Sequence, residues 1–380
     1  MPLQHRAGAV EVGAPLKITL FGLTLSSSWG NGHATPYRAI LRALHRLGHR
    51  VTFYERDVPY YAHHRDLPQC GYCDLKLYDS WESIRKQAMA EAAESDVVIT
   101  ASYVPEGAMI ADELLSLSGP LRVYYDLDTP ITLSRLATGD LDYLRANQIP
   151  AFDLVLSWTG GEALRSLERD FGARIARPLF GCVDPDVYRP VHPSPDLRCE
   201  LSYMGTYAQD RQAKLDSMFL EAARQRPSSR FLLAGSLYPR EWQWPVNVQH
   251  TEHLAPAAHP AMYCSSRLTL NLTRAEMAAS GFCPSGRFFE AAACGTPIVT
   301  DWFRGLDSFF DPRSEVLVAN ETADVLRALD ESDTELKRMA RTARQRTLDE
   351  HTGYQRALTL LSAFEAARSS TPGEAQLETA

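Results

Sequence analysis

Ser285-Gly286-Arg287-Phe288-Phe289-Glu290-Ala291-Ala292-Ala293-Cys294-Gly295-Thr296-Pro297-Ile298-Val299-Thr300 is the stretch on which the fold turns. A small pair opens it, an apolar helix with three successive alanines follows, Gly295 stops the helix, and residues 298–300 read as a buried strand. Behind such a small-residue turn, the helix N-terminus offers backbone amides and its positive dipole end to an anion. Glu290 lies inside the apolar helix, where a carboxylate is costly unless it is paired or hydrogen-bonded. Two readings are open. Glu290 accepts hydroxyls of a bound ligand while Arg287, one turn earlier, meets the ligand's anionic groups, or the two residues pair with each other on an exposed face.

The alternation of strand and helix extends outward from this segment. Before it, short apolar strands read at 18–21, 51–54, 97–100, 122–125 and 154–157, with a helix carrying Tyr37, Ile40, Leu41, Leu44 and Leu47 and stopped by Gly48. Residues 185–195, rich in Pro and Asp, read as a linker. Beyond it, strands read at 201–204, 231–234, 268–272, 298–300 and 315–318. Apolar runs without strict alternation suit strands covered on both faces. The sequence therefore predicts an α/β chain of two Rossmann-like, doubly wound parallel-sheet domains. The expected partition is a leader at 1–15, a first domain at 16–190, a second at 196–345, a helix at 346–368 returning to the first domain, and a tail at 369–380.

Two domains also suit 380 residues, and 45% hydrophobic with 23% charged residues is a globular composition. A formal charge of −8 argues against a nucleic-acid binder, which needs a basic face. No apolar run reaches the ~20 residues needed to span a bilayer, so a cytoplasmic location is expected, with peripheral membrane contact left open. The seven cysteines form no repeating framework, and reduced thiols fit best. Cys70 and Cys73 form a C-x-x-C motif that makes a zinc site only if His63 and His64 fold back onto it; otherwise it is a turn around Gly71.

In parallel sheets, ligands bind beyond the carboxyl ends of the strands. Gly30-Asn31-Gly32-His33 follows the first strand. Its glycines admit a ligand to the backbone, and His33 is suited to general-base work on a hydroxyl, although a loop histidine also serves purely structural ends. The loop is neither a dinucleotide fingerprint, with Thr35 where the third glycine belongs, nor a Walker loop. Asp128, after the 122–125 strand, either orients an acceptor hydroxyl or opens the turn at Thr129-Pro130. On the second-domain side, Gly205 and Arg211 follow the first strand, with Lys214 one turn on, and Tyr238 follows the second. With Ser285, Gly286, Arg287 and Glu290 these form the expected donor-side set.

The 285–300 segment resembles the nucleotide-binding helix of GT-B glycosyltransferases, and within them the CgeB-like, spore-maturation-protein-like group. Gly305-Leu306-Asp307 and Glu315-Val316-Leu317-Val318 continue the resemblance, and Gly30-Asn31-Gly32-His33 with Gly48-His49-Arg50-Val51 is similar to the glycine loop and following strand of several GT-B enzymes. The resemblance implies two domains facing across a cleft and transfer of a sugar from a nucleoside diphosphate donor, UDP first and TDP or GDP behind it, to a hydroxyl acceptor. It implies that Glu290 binds the donor ribose and that Arg287 and Arg211 lie near the diphosphate. It implies retention of configuration, while a basic His33 would suit inversion. No metal is expected, since helix amides and cations neutralise the leaving diphosphate in such enzymes. The chain departs from the pattern at Phe282, where many retaining relatives carry the first glutamate of an E-x7-E motif.

That departure keeps two other functions in view: a sugar-nucleotide epimerase, which needs no acceptor, and a non-catalytic sugar-nucleotide-binding protein. The acceptor, whether glycan, lipid, small molecule or protein, is not written in the sequence. Tyr60, Tyr61, His63, His64 and Trp81 are candidates for an aromatic acceptor surface, or for packing.

Overall fold

The computed structural model describes residues 14–139 and 141–370, so nearly all of the expected leader and tail lies outside the described residues. The first domain is a seven-stranded, all-parallel sheet: β1 (Lys17–Phe21), β2 (Arg50–Arg56), β3 (Asp74–Tyr78), β4 (Val97–Ala101), β5 (Leu121–Asp126), β6 (Leu154–Ser157) and β7 (Ala176–Pro178), in the order β3-β2-β1-β4-β5-β6-β7. The second is a six-stranded parallel sheet of β8 (Cys199–Met204), β9 (Phe231–Ala234), β10 (Val248–Thr251), β11 (Ser266–Asn271), β12 (Ile298–Thr300) and β13 (Leu317–Val318), ordered β10-β9-β8-β11-β12-β13. Strand order reverses between β1 and β4 in one sheet and between β8 and β11 in the other. Those are the switch points where doubly wound sheets open a crevice.

Sequence reading found the central strands and missed β3, β7 and β10, which are edge or near-edge strands. The expected 315–318 strand shrinks to Leu317–Val318. The C-terminal region is divided. A helix at Asp333–Glu350 packs on the Gly286–Ala293 helix of the second domain, and a separate helix, Gly353–Ser370, packs on the first domain. The returning helix thus starts at Gly353 rather than at 346, and it continues to Ser370. Its Ala357, Leu360, Ala363 and Phe364 join the first domain's apolar core beside Ile40, Leu41 and Leu44. Gly353 is required at that crossing, because a Cβ there would lie 2.4 Å from the carbonyl oxygen of Ala39.

The chain crosses between domains twice, and the two crossings are paired. Val183 donates to the His351 carbonyl at 3.1 Å, and Gly353 donates to that of Val183 at 2.9 Å. A third contact lies at the cleft floor, where Trp158 Nε1 donates to the Pro284 carbonyl at 2.8 Å and Gly160 N to that of Phe282 at 3.0 Å. Phe282 is in the left-handed region at φ 49°, which costs a non-glycine residue about 1–3 kcal/mol. Its ring is gripped by glycines of both domains: a Cβ on Gly161 would lie 2.6 Å from it, and one on Gly305 2.4 Å.

Candidate active site

Between the carboxyl edges of the two sheets lies a cleft of about 590 Å³. Gly30, Gly32, His33 and Asp128 line its first-domain wall, and Gly205, Arg211, Ser285, Gly286, Arg287 and Glu290 line the second. Tyr238 is not among the lining residues. Its hydroxyl donates to the Gly205 carbonyl at 3.0 Å, and its ring packs with Tyr207, Trp242, Trp244 and His250. It supports the loop behind the wall instead of meeting a ligand.

The second-domain wall is cationic. The Arg287 and Arg211 guanidinium carbons lie over one ring, that of Tyr203, at 5.6 and 5.8 Å. Arg287 donates to the carbonyls of Met204 and Leu272 and to Ser285 Oγ, and Arg211 to the carbonyl of Thr206. Among the described residues neither forms an ion pair. Burial, with Arg287 close by, pushes the Arg211 guanidinium below its usual range. Two adjacent cations beside a helix N-terminus, Arg211 buried and Arg287 half-buried with Glu290 nearby, favour an anion between them.

One helical turn beyond, Glu290 is buried. The hydroxyl of Tyr263 donates to its Oε2 at 3.3 Å, and Tyr188 of the linker, its hydroxyl paired with His259 Nδ1 at 3.1 Å, lies close by. Burial pushes its carboxyl up to about 7, against the pull of Arg287 and the two phenols. The alternative of an exposed Glu290–Arg287 ion pair is therefore not what forms. Tyr188 and Tyr263 were missed from sequence. One sits in a proline-rich linker and the other in a short helix, His259–Ser265, and only folding brings them to Glu290.

On the first-domain wall, Asn31 Oδ1 accepts from the amides of His33 and Ala34 and so caps the Ala34–Arg46 helix. That leaves the His33 ring free to face Asp128, with Nε2 3.9 Å from Oδ2. His33 Nδ1 is buried without a hydrogen-bond partner among the described residues. Asp128 is the N-cap residue of the Thr129–Thr138 helix, yet its carboxylate makes no capping bond and lies close to Tyr103 instead. Its backbone opens the turn, and its side chain lines the cleft. Its neighbour Asp126 points the other way, into the core. Asp126 Oδ1 accepts from the Asp128 amide at 3.1 Å and from Thr132 at 3.0 Å, and burial pushes the carboxyl up to about 7.

Behind this wall stands Glu55, fully buried. It accepts from Thr24 Oγ1 at 2.9 Å, from the amides of Leu25 and Ser26 at 2.7 and 2.8 Å, and from Ser26 Oγ at 2.6 Å. It fixes the serine-rich loop leading to Gly30 and His33. Nothing local in the sequence marks it.

Residues 211–362 match the model of a family described as glycosyl transferase-like. The fold is similar to that of a sucrose-phosphate synthase from Thermosynechococcus elongatus, with a TM-score of 0.65 at 12% identity over 94% of this chain and 100% of that one. It is also similar to HepE from Anabaena in complex with UDP and glucose, with a TM-score of 0.63 at 12% identity over 92% of this chain and 100% of that one. AviGT4, a glycosyltransferase involved in avilamycin A biosynthesis, gives 0.58 at 16% identity over 94% and 99%. This chain has the GT-B fold, with its glycosyl transferase-like match confined to residues 211–362. No curated protein matches its sequence.

Several residues do not act as their sequence positions suggest. Lys214 pairs with buried Asp301 and does not join Arg211 at the cleft. Trp81 is buried in the core with Nε1 donating to Glu113 at 2.9 Å, so it lines no acceptor surface, whereas Tyr61 does reach the cleft. His64 stacks on Trp29 at 3.8 Å and does not turn back to Cys70 and Cys73; among the described residues no three potential metal ligands come together. Phe282, at the position of the absent glutamate, is an interdomain contact. None of the described helices is long and apolar enough to cross a membrane.

Proposed function

We propose that this chain is a glycosyltransferase that takes its sugar from a nucleoside diphosphate donor, UDP in preference to TDP or GDP, and transfers it without a metal ion to a hydroxyl acceptor. The observation that carries the reading is the pair of adjacent guanidiniums, Arg287 and Arg211, neither in an ion pair among the described residues, at the N-terminus of the Gly286–Ala293 helix. A diphosphate supplies the charge they lack and takes hydrogen bonds from both. Glu290, one turn on, then accepts the two ribose hydroxyls, and the sugar extends toward His33 and Asp128 on the facing wall. The solved complexes of HepE with UDP and glucose and with UDP-glucose agree with this choice of donor.

His33 and Asp128 are the proposed catalytic groups. Lying together at the acceptor side, they orient the attacking hydroxyl and remove its proton. Retention is the proposed outcome, on the family resemblance; proton NMR of the anomeric signal in the first turnovers reads it directly. Titration calorimetry with UDP, TDP and GDP tests the donor assignment. UDP should bind most tightly, and Glu290→Ala should weaken it by more than about tenfold, or ~1.4 kcal/mol. Equal affinity of variant and wild type for all three nucleotides would sink the assignment.

A further inference from the structure

The Cys70-Gly71-Tyr72-Cys73 turn has no part in the cleft, and its chemistry is of another kind. Sγ of Cys73 lies 2.9 Å from Sγ of Cys70 and donates to it, and both residues are free thiols and half-buried. Tyr72 is turned inward, with the Arg42 guanidinium 4.9 Å above its ring, which pins the turn from the inside. Gly71 is exposed, with open space where a side chain would stand, so solvent reaches the turn from outside. The hydrogen bond from Cys73, joined by the backbone amides of Tyr72 and Cys73, holds the Cys70 thiol well below the usual range. Most other cysteines are the reverse: Cys182, Cys199 and Cys283 are buried, and burial pushes their thiols up to about 12, 11 and 12.

We propose that Cys70 and Cys73 form a redox-active dithiol that exchanges reversibly with low-molecular-weight disulfides and closes into an intraloop disulfide. The Cys70 thiolate attacks one sulfur of a disulfide RSSR, forming a Cys70–SR bond and expelling RS⁻. Cys73 then gives its proton to solvent, and its sulfur attacks Cys70 Sγ, expelling the second RS⁻. Two protein thiols are oxidised and one RSSR is reduced to two RSH. Closure needs only the contraction from contact to a bond of about 2.05 Å between sulfurs already side by side.

The test uses the full chain with excess oxidised glutathione, followed by acid quenching, alkylation and peptide mapping. The expected result is loss of two of the seven thiols, with the peptide spanning 70–73 lighter by two hydrogens and restored by dithiothreitol. Cys73→Ser should stop at a glutathione adduct on Cys70, and Cys70→Ser should react at least about tenfold more slowly at Cys73. UDP binding by each variant reports that its fold is intact, and the wild-type map decides the matter if either misfolds. The proposal is overturned if all seven thiols persist, if oxidation joins Cys264 to Cys294 instead, or if folded Cys73→Ser gains no adduct at Cys70.

Discussion

Glu55 and Glu290 are buried one behind each wall of the cleft, and they are held in opposite ways. Glu55 is surrounded by two amides and two hydroxyls within 2.9 Å. Glu290 accepts from one phenol, that of Tyr263 at 3.3 Å, and its carboxyl is pushed up to about 7. Glu55 is saturated by the chain that folds around it, and Glu290 is left short of donors at the edge of a cavity. A carboxylate with four short donors organises a loop. One with a single, more distant phenol keeps acceptor capacity that its own chain does not fill.

The largest effect should come from breaking the saturated site. Glu55→Ala strands two buried amides and two hydroxyls, and should cost ~3–5 kcal/mol of unfolding free energy in urea titrations. A cost below ~1 kcal/mol would mean that the loop organises itself. Next is the pH dependence of the unsaturated site. The folded pKa of Glu290 lies above the ordinary 4.5, so its contribution to stability is complete below that value and is lost as pH rises toward about 7. Between pH 4.5 and 7, wild type should lose ~2–3 kcal/mol relative to Glu290→Gln. Asp126 shifts in the same direction, so the comparison belongs in an Asp126→Asn background.

Ligand binding should reverse the sign. Ribose hydroxyls favour the ionised carboxylate, so UDP affinity should fall by up to about tenfold per pH unit below pH 7 in wild type and stay flat in Glu290→Gln. Parallel pH profiles would show that the ribose lies elsewhere. The smallest effect is expected at Tyr238→Phe, which removes one bond to the Gly205 carbonyl. It should cost ~1 kcal/mol in stability and change UDP affinity less than about threefold.

The contrast between the glutamates also marks what sequence could disclose. Glu290 was legible because its immediate neighbours, Phe288, Phe289 and the alanines, make a carboxylate conspicuous within one helix. Glu55 ends the run Val-Thr-Phe-Tyr-Glu-Arg, where a charge reads as the exit of a strand; the donors that bury it come from residues 24–26. The strands divide the same way. β4, Val-Val-Ile-Thr-Ala, is covered on both faces and shows as an apolar run. β3, Asp-Leu-Lys-Leu-Tyr, lies at a sheet edge with Asp74 and Leu77 exposed, and β7 is three residues, Ala-Arg-Pro. An edge strand is defined by its neighbour more than by its own residues.

Phe282 gives the cleft one further property. Its ring lies between Gly161 of one lobe and Gly305 of the other, so close to both that neither can carry even a methyl group. An alanine at either position would act as a shim, prising the lobes apart at their floor and widening the mouth above. The aperture offered to a substrate is thus calibrated by two hydrogen atoms that no substrate touches.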